Sequence, residues 1–590
     1  MLFLKRWLLT LTYSILDHIP PFFWSILNVI TDIYLFWLNK FLNWLRPKSR
    51  MLYHEAMKRL EECNSYEEWK VAASKVDEIT GANLWRRDFY SRRYDFNSVI
   101  EQYVILNAAL QNGDLETMRE KFSTTGPCML RNFAGIADKK LFTKSLMGTK
   151  ILIDQYLDRT IEGLTLLDES KSTPTSYFQR CKLSLGTTAL ILQGGSLFGL
   201  FHLGVIKGLL SQNLIPDLIS GSSMGACIAS LFGCLSNDDL RELLHGGRIL
   251  SMIKEDTELL RMCGYGNVEQ HLNLGTLIQN LVHNGYSQDV CLFIHFVLKY
   301  IVKDLTFEEA YQRTKKVFNI VIHPTDPSCP NLLNYVTTPN VLIKTAINCS
   351  LGSNVISNET VLLCKNLNNE HESFLPEDKV FKVKFLAPEK AVPDESSYVE
   401  NPYTRLTELF NVNNFIVSLA RPFLAPFVVN DLKHEIKISK YYYYKHFPEA
   451  NNKILDQLPN LGIAQPNFVE MEPLAFKFMY RLERKLKNVL TMEFHHRMEV
   501  LNHMGLLNPW IKRLIIDDKI PRSAIEIAIV PRIKSLSLTG IIEGQLDNIP
   551  WWIECGERSS WPVLPLIKTR CAVEFKLNNI IKRRRQQAVH

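Results

Sequence analysis

The sequence lacks the features that mark several common protein classes. None of its twelve cysteines forms a Cys-x-x-Cys pair, and none stands at the cysteine–histidine spacing of a zinc finger. The positive charge is small for 590 residues, because 68 Lys and Arg face 61 Asp and Glu. Nucleic-acid-binding proteins usually have a higher isoelectric point and a concentrated basic stripe, so we expect no nucleic acid partner. No cleavable signal peptide is evident, and the scattered cysteines indicate free thiols in a reducing compartment.

The composition shows no bias toward disorder, collagen or a long coiled coil. Apolar residues make up 46% of the chain and charged residues 22%, as in folded globular proteins. No internal repeat is evident. We predict a membrane- or monolayer-associated segment at 1–48, a mainly helical region at 49–185, an α/β domain at 186–430, and a C-terminal region at 431–590 with a linker near 449–466 and a basic tail.

The first fifty residues are rich in aromatic side chains, with eleven in all and four of the ten tryptophans. Two apolar stretches, separated by Pro20-Pro21, each carry a narrow polar stripe at helical spacing. Asp17 and Asp32 argue against two ordinary bilayer spans, because a charge at the hydrocarbon centre is costly. Wide apolar faces with tryptophan and cationic flanks favour helices at a membrane or monolayer surface. A helical pair buried on the protein's own core is the alternative.

Cationic residues cluster at two further places. Trp85-Arg86-Arg87 is followed closely by Arg92-Arg93, and the chain ends near Lys582-Arg583-Arg584-Arg585. Such runs are usually solvated or salt-bridged faces, and attraction to anionic lipid headgroups is the second interpretation.

The strongest local signal is the Gly-x-Ser-x-Gly pentapeptide from Gly221 to Gly225, with Ser223 at its centre. An apolar strand leads into it, and a helix of small residues is predicted after it. This is the setting of a nucleophile elbow, in which the two glycines leave room for a tight turn and Ser223 Oγ projects above the sheet. The N–H groups that open the helix would face a developing oxyanion. A strand–helix turn without reactivity is the alternative.

A second Gly-rich turn, Gly194-Gly195-Ser196-Leu197-Phe198-Gly199, also follows a predicted strand and precedes an apolar helix. Gly194 and Gly195 permit exposed backbone N–H groups that can bind a phosphate or an oxyanion. A dinucleotide site would need an acidic residue about 20 residues on, after a second strand. That place holds the serine motif instead, so the two turns together favour an acyl-transfer site.

The two turns resemble those of the patatin-like phospholipases. Further segments resemble one branch, the fungal lipid-droplet triacylglycerol lipases: Ala82-Asn83-Leu84-Trp85-Arg86-Arg87, Leu130-Arg131-Asn132, Leu200-Phe201-His202-Leu203-Gly204-Val205, Leu332-Leu333-Asn334-Tyr335 and Glu408-Leu409-Phe410-Asn411-Val412-Asn413. The resemblance implies an α/β fold, with a patatin-like three-layer core around a mainly parallel sheet, a helical N-terminal region and a mixed C-terminal region. Residues 186–430 would then be the catalytic domain.

The resemblance also implies hydrolysis of stored triacylglycerol at the lipid-droplet surface, with the endoplasmic reticulum membrane as a second location. It implies no metal and no cofactor, and it adds acyl transfer to lysophospholipid as a side activity. An acyltransferase that uses acyl-CoA as donor is an alternative, although the sequence contains no His-x4-Asp motif. A catalytically weak lipid-droplet scaffold that stabilises partner lipases is the other alternative.

The family resemblance implies a Ser–Asp dyad without a catalytic histidine. It makes Ser223 the nucleophile and places the oxyanion donors at Gly194, Gly195 and the N–H of Ser196. Counting back from Pro402, the family's acidic turn falls on Asp394-Glu395-Ser396. Asp394 is therefore the expected general base.

Histidine chemistry is the alternative to the dyad. A Ser–His–Asp triad needs a histidine after the nucleophile, and the candidates include His245, His271, His323 and His371. Of these, His323 occupies a distinctive turn that also contains Asp326, and a structural turn at a strand end is the favoured interpretation of it. His495, Glu499 and His503 could share a helix face, but without a His-Glu-x-x-His pattern we expect no metal site.

Overall fold

The structure is a computed structural model of the chain. It describes residues 48–170, 172–194, 198–245, 247–262, 288–322, 324, 329–351, 361–365, 371–373, 402–420, 493, 496–497, 500–501, 504, 525–531 and 548–589. The predicted linker near 449–466 lies outside these residues, as does all but the last residue of the predicted segment 1–48.

The region before the sheet is helical, as its amphipathic pattern predicts. Its α-helices are α1 (Lys48–Glu62), α2 (Tyr66–Thr80), α3 (Ala82–Arg87), α4 (Phe96–Asn112), α5 (Leu115–Lys121), α6 (Ile151–Glu169) and α7 (Thr175–Leu185), with short 3-10 helices at Pro127–Met129, Phe133–Gly135 and Lys139–Phe142. Capping side chains set several of the starts: Ser65, Asp95 and Asp114 accept backbone N–H bonds from the first turns of α2, α4 and α5.

The remaining helices follow the first strand of the sheet in the sequence, and the last two lie in the C-terminal region. They are α8 (Phe201–Ser211), α9 (Met224–Cys234), α10 (Asn237–Leu244), α11 (Arg248–Glu255), α12 (Thr257–Met262), α13 (Gln288–Val297), α14 (Phe307–Thr314), α15 (Ile343–Leu351), α16 (Pro402–Phe410), α17 (Asn548–Ser560) and α18 (Leu564–Val589). A π-helix at Leu298–Val302 extends α13, and a 3-10 helix at Trp561–Val563 joins α17 to α18. Among the described residues, no helix is both long and apolar enough to cross a bilayer.

A mainly parallel sheet lies at the centre of the molecule. Its strands are β1 (Thr187–Gln193), β2 (Leu218–Ser222), β3 (Val317–Val321), β4 (Leu332–Leu333), β7 (Val412–Leu419) and β8 (Ile525–Ile529), in the order β4-β3-β2-β1-β7-β8. β4 is antiparallel to β3, and the other neighbours are parallel. A separate antiparallel pair joins β5 (Leu363–Lys365) to β6 (His371–Ser373). The predicted α/β class and mainly parallel sheet are confirmed.

Both faces of the sheet are buried, as parallel strands require. Leu190 and Leu192 of β1 pack into the large core formed with the helices of the N-terminal region, α8 and α9. Ala189 and Ile191 point to the opposite face, where a second cluster contains Leu406 of α16. The alternation along β1 therefore places helices on both sides of the sheet, which is the three-layer arrangement that the family resemblance implies.

The described parts of the C-terminal region belong to the same core. β8 adds a strand beside β7, and α18 reaches β1 through Glu574, whose carboxylate accepts bonds from Thr188 N–H at 2.8 Å and from Arg131 at 3.0 Å. Glu574 and Arg131 are only 1% and 6% exposed. The described segments 525–531 and 548–589 thus share the sheet and the core with the region that carries the serine motif.

In each of the two cationic runs, some side chains are paired with protein groups. Arg86 donates to Thr149 O at 2.9 Å and to Asp154 at 3.0 Å. In the C-terminal tail, Arg583 and Arg584 both pair with Asp168, and Lys582 lies 2.5 Å from a carboxylate oxygen of Asp217. These contacts support the salt-bridged interpretation of the runs.

Candidate active site

Ser223 lies at the carboxyl end of β2, directly before α9. Its backbone has φ 56° and ψ −124°, which is a conformation that side chains other than glycine rarely adopt. The chain therefore turns sharply from strand to helix at one residue. The predicted strand–turn–helix setting of the serine is confirmed, and the geometry is that of a nucleophile elbow.

The two glycines of the pentapeptide are required by close backbone contacts. A Cβ on Gly221 would lie 2.1 Å from Gly225 O, and a Cβ on Gly225 would lie 2.1 Å from Leu192 O. Gly225 therefore allows α9 to approach the end of β1, and Gly221 allows the turn to fold back on itself. These distances give the predicted roles of the two glycines a steric cause.

The backbone of the elbow is fixed by a neighbouring hydroxyl. Ser223 N–H donates to Ser350 Oγ at 3.0 Å, and Ser350 Oγ–H donates to Val321 O at 2.7 Å. Ser350 lies near the end of α15 and is 8% exposed. Sequence reasoning missed this residue, because a single serine in an apolar helix carries no recognisable pattern.

Gly194 adjoins the elbow, as predicted, but its N–H has a partner in the protein. The Gly194 N–H donates to Ser222 Oγ at 3.1 Å, and Gly194 O accepts from Gly225 N–H at 3.3 Å. Gly194 has φ 61°, in the left-handed region that favours glycine. Gly195 and Ser196 lie outside the described residues, so the oxyanion role of this turn stays a prediction.

Aromatic side chains connect the Gly-rich turn to the C-terminal region. The ring of Phe198 meets that of Trp552 edge-on, with centroids 5.7 Å apart, and Trp552 is 1% exposed. His202, on the helix after the turn, is fully buried and shares a 2.8 Å hydrogen bond between Nδ1 and Ser418 Oγ. His202 thus joins α8 to β7 through a buried hydrogen bond.

The candidates for the general base fall mostly outside the described residues. This applies to Asp394, His323, Asp326 and His271. His245 follows α10 and is exposed, and His371 lies in β6. His495, Glu499 and His503 are also outside the described part, within which no group of three or more His, Cys, Asp or Glu could hold a metal ion.

Two thiols near the elbow are poor competitors for the role of nucleophile. Cys227 lies one helical turn after Ser223, and burial raises the pKa of its thiol. Cys349 precedes Ser350, and burial raises the pKa of its thiol to about 12. Because the thiolate is the reactive form of cysteine, both side chains stay protonated and unreactive near neutral pH.

The fold and the elbow define an α/β protein with a serine presented at the carboxyl end of its parallel sheet. A family model described as patatin-like phospholipase matches residues 190–252, and one described as a domain of unknown function (DUF3336) matches residues 47–184. Triacylglycerol lipase 3 of Saccharomyces cerevisiae is 66% identical, over 99% of this chain and 97% of its own length. Triacylglycerol lipase ptl1 of Schizosaccharomyces pombe is 29% identical, over 88% of this chain and 84% of its own length. The chain belongs to the patatin-like phospholipase family, which confirms the resemblance predicted from the sequence.

Proposed function

We propose that the chain is a serine acylhydrolase that cleaves triacylglycerol, with Ser223 as its nucleophile. The observation that carries the proposal is the backbone of Ser223, whose positive φ at a strand–helix junction is the strained geometry of an elbow. Glycine packing on both sides holds that geometry. The substrate class is supported by two relatives that are named triacylglycerol lipases and that this chain covers over most of their length.

The chemistry proceeds through an acyl-enzyme. Ser223 Oγ attacks an ester carbonyl carbon, and its proton passes to the general base, for which Asp394 is our candidate. The ester C–O bond then breaks, and the protonated base returns the proton to the departing diacylglycerol oxygen. A water molecule, deprotonated by the same base, attacks the acyl-serine and releases a fatty acid. The N-terminal end of α9 and the Gly-rich turn would stabilise the charge on the carbonyl oxygen.

The acyl group on Ser223 could pass to water or to another acceptor at the same site. If lysophospholipid replaces water in the second step, the enzyme transfers the acyl group instead of hydrolysing it. Both reactions pass through acyl-Ser223, with triacylglycerol or acyl-CoA as donor, so one nucleophile serves either outcome. We propose hydrolysis as the main reaction and acyl transfer as a side reaction.

The site of action that we propose is the lipid-droplet surface, with the endoplasmic reticulum membrane as the second location. The support is the aromatic-rich sequence before residue 50, in which tryptophans and cationic flanks suit an interface. A water-insoluble substrate also requires that the enzyme reach the neutral lipid through a monolayer.

The test uses the purified full-length chain and emulsified triolein, with oleate release as the measurement. Ser223→Ala should lower the rate at least about 10³-fold, because covalent catalysis has no substitute nucleophile. Ser230→Ala is the matched control. Ser230 is a buried serine of α9, the helix that begins directly after Ser223, and its Oγ–H donates to Cys227 O at 2.7 Å. A parent protein without lipase activity would favour the scaffold alternative. A folded Ser223→Ala protein within about tenfold of the parent would overturn the nucleophile assignment.

A further inference from the structure

The ladder between β2 and β3 ends at the elbow. Ser222 and Val321 are its last paired residues, and Ser223 departs from the strand with positive φ. The N–H of Ser223 and the C=O of Val321, which would otherwise continue the ladder, both point toward one small region there. Ser350 occupies it, accepting from Ser223 N–H at 3.0 Å and donating to Val321 O at 2.7 Å. One hydroxyl therefore bridges the two strands where direct pairing stops.

The bridge comes from a separate element and is shielded from water. Ser350 lies on α15, 127 residues after Ser223, and it is 8% exposed. Its neighbours Cys349 and Leu351 are fully or almost fully buried, so the helix end is anchored in the core. Both hydrogen bonds of the hydroxyl are short enough and sheltered enough to fix the position of the Ser223 backbone.

We infer that Ser350 is a positioning residue for the nucleophile, an inference that rests on the proposed role of Ser223. A residue held in a rare backbone conformation keeps it only when the surroundings over-determine it. The glycine contacts exclude other paths for the chain, and the Ser350 hydroxyl binds the N–H of Ser223 itself. Without that bond the peptide before Ser223 can rotate, and Oγ moves relative to the substrate and the base.

The expected effect falls on the chemical step. Small displacements of a reacting atom cost up to about 100-fold in rate, whereas the binding of a lipid depends on the apolar surface that meets it. Ser350→Ala should therefore lower kcat about 10- to 100-fold with little change in KM. A merely structural serine would instead lower the amount of folded protein and leave the rate per folded molecule unchanged.

The experiment measures how fast the full-length protein reacts with a fluorescent alkyl fluorophosphonate. The reaction forms a bond between serine Oγ and phosphorus, releases fluoride, and passes the serine proton to the base or to solvent. Rates are compared for the parent, Ser350→Ala, Ser350→Cys, Ser350→Thr and the control Ser230→Ala, each normalised to folded protein from thermal unfolding. Ser350→Cys is nearly isosteric and preserves the packing if the alanine variant does not fold, but its thiol is a weak hydrogen-bonding group.

The labelling rates distinguish a positioning role of Ser350 from a merely structural one. We expect Ser350→Ala and Ser350→Cys to label about 10- to 100-fold more slowly than the parent, with Ser350→Thr and Ser230→Ala close to the parent rate. Parent-like labelling of folded Ser350→Cys or Ser350→Ala, or a Ser350→Thr rate as low as that of Ser350→Ala, would overturn the inference. Ser223→Ala separates this inference from the proposed function: if it still labels at the parent rate, the nucleophile assignment fails, and if it does not, only the role of Ser350 is in question.

Discussion

At the scale of single residues, the backbone of Ser223 has a strained conformation, and contacts with neighbouring residues hold it there. The conformation of Ser223, with φ 56° and ψ −124°, resembles the first central position of a type II′ turn, where glycine is preferred. A serine there costs conformational free energy, and the neighbouring residues offset it. Gly221 and Gly225 do so by leaving room, and Ser350 does so by binding the Ser223 N–H.

Gly225→Ala tests the steric part of this account. The new Cβ would meet Leu192 O at 2.1 Å, so α9 or β1 must move. We expect a loss of about 1–3 kcal/mol in the free energy of unfolding, measured by chemical denaturation, together with slower labelling of Ser223. Gly113→Ala is the comparison. Gly113 has positive φ, unlike Gly225, but it has open space around it, so its variant should lose about 1 kcal/mol from backbone strain alone and label normally. Equal losses with normal labelling in both variants would contradict the steric role.

Asp394→Asn tests the general base, which lies outside the described residues. If Asp394 removes the Ser223 proton, the substitution should lower lipase activity about as much as Ser223→Ala, because the two residues act as a unit. The parent rate should also fall as the pH drops through the pKa of the base, since a protonated carboxylate accepts no proton. If Asp394→Asn keeps high activity while Ser223→Ala is inactive, the general base is another residue. Asp326→Asn and His323→Ala would then be the next variants to measure.

At the scale of elements, the helix after the Gly-rich turn depends on the C-terminal region. α8 and α17 cross so closely that a Cβ on Gly204 would lie 1.9 Å from Ile553 O, and one on Gly556 would lie 2.1 Å from Phe201 O. Trp552 of α17 also packs against Phe198 of the turn. Residues more than 300 positions apart in the sequence thus pack α17 against Phe198 and the helix that follows it.

Glu574→Ala tests how firmly α18 is joined to the sheet. The substitution leaves the guanidinium of Arg131 buried without the carboxylate 3.0 Å away, and it removes the acceptor of Thr188 N–H. Removing one partner of a buried pair costs about 3–5 kcal/mol, so the denaturation midpoint should fall sharply. Glu55→Ala, which breaks an exposed pair with Arg59 on α1, should change the midpoint little. Similar small shifts in the two variants would show that α18 adds little to the core.

Whether a feature could be predicted from the sequence depends on how far apart its residues lie in the chain. The two strand–Gly–helix turns at 194 and 223 could be predicted because each lies within a few consecutive residues. The contacts of Ser350, Glu574 and Trp552 could not, since each reaches across more than 100 residues to its partner. The spacing of Gly204 and Gly208, four residues apart on one helix face, was a usable signal for a close helix crossing.

At the scale of the whole molecule, the chain combines a buried catalytic core with a sequence suited to an interface. β8 belongs to the central sheet, and β8, α17 and α18 contribute side chains to the larger of the two hydrophobic clusters. Three cations of the tail, Lys582, Arg583 and Arg584, pair with Asp168 or Asp217. The aromatic-rich first fifty residues are our candidate for the lipid contact. Substrate cleavage and surface binding are therefore separable properties in this account.

Deletion of residues 1–46 tests that separation. The truncated protein should float less with lipid droplets or liposomes in a density gradient, because both apolar stretches with their tryptophans are removed. Its reaction with the fluorophosphonate in solution should stay near the parent rate, since the elbow is unchanged. Undiminished flotation of a folded truncated protein would contradict the prediction and move the lipid contact elsewhere in the chain.

In the reaction that we propose, Ser223 forms the covalent acyl intermediate. The most direct measurement is peptide mass spectrometry of the full-length protein after reaction with an alkyl fluorophosphonate, with the modified residue identified by fragmentation. We expect one alkylphosphonyl group on Ser223 and none in the Ser223→Ala protein, with Ser230→Ala modified like the parent. Modification of another residue at the rate of inactivation, or an unchanged yield in folded Ser223→Ala, would contradict it.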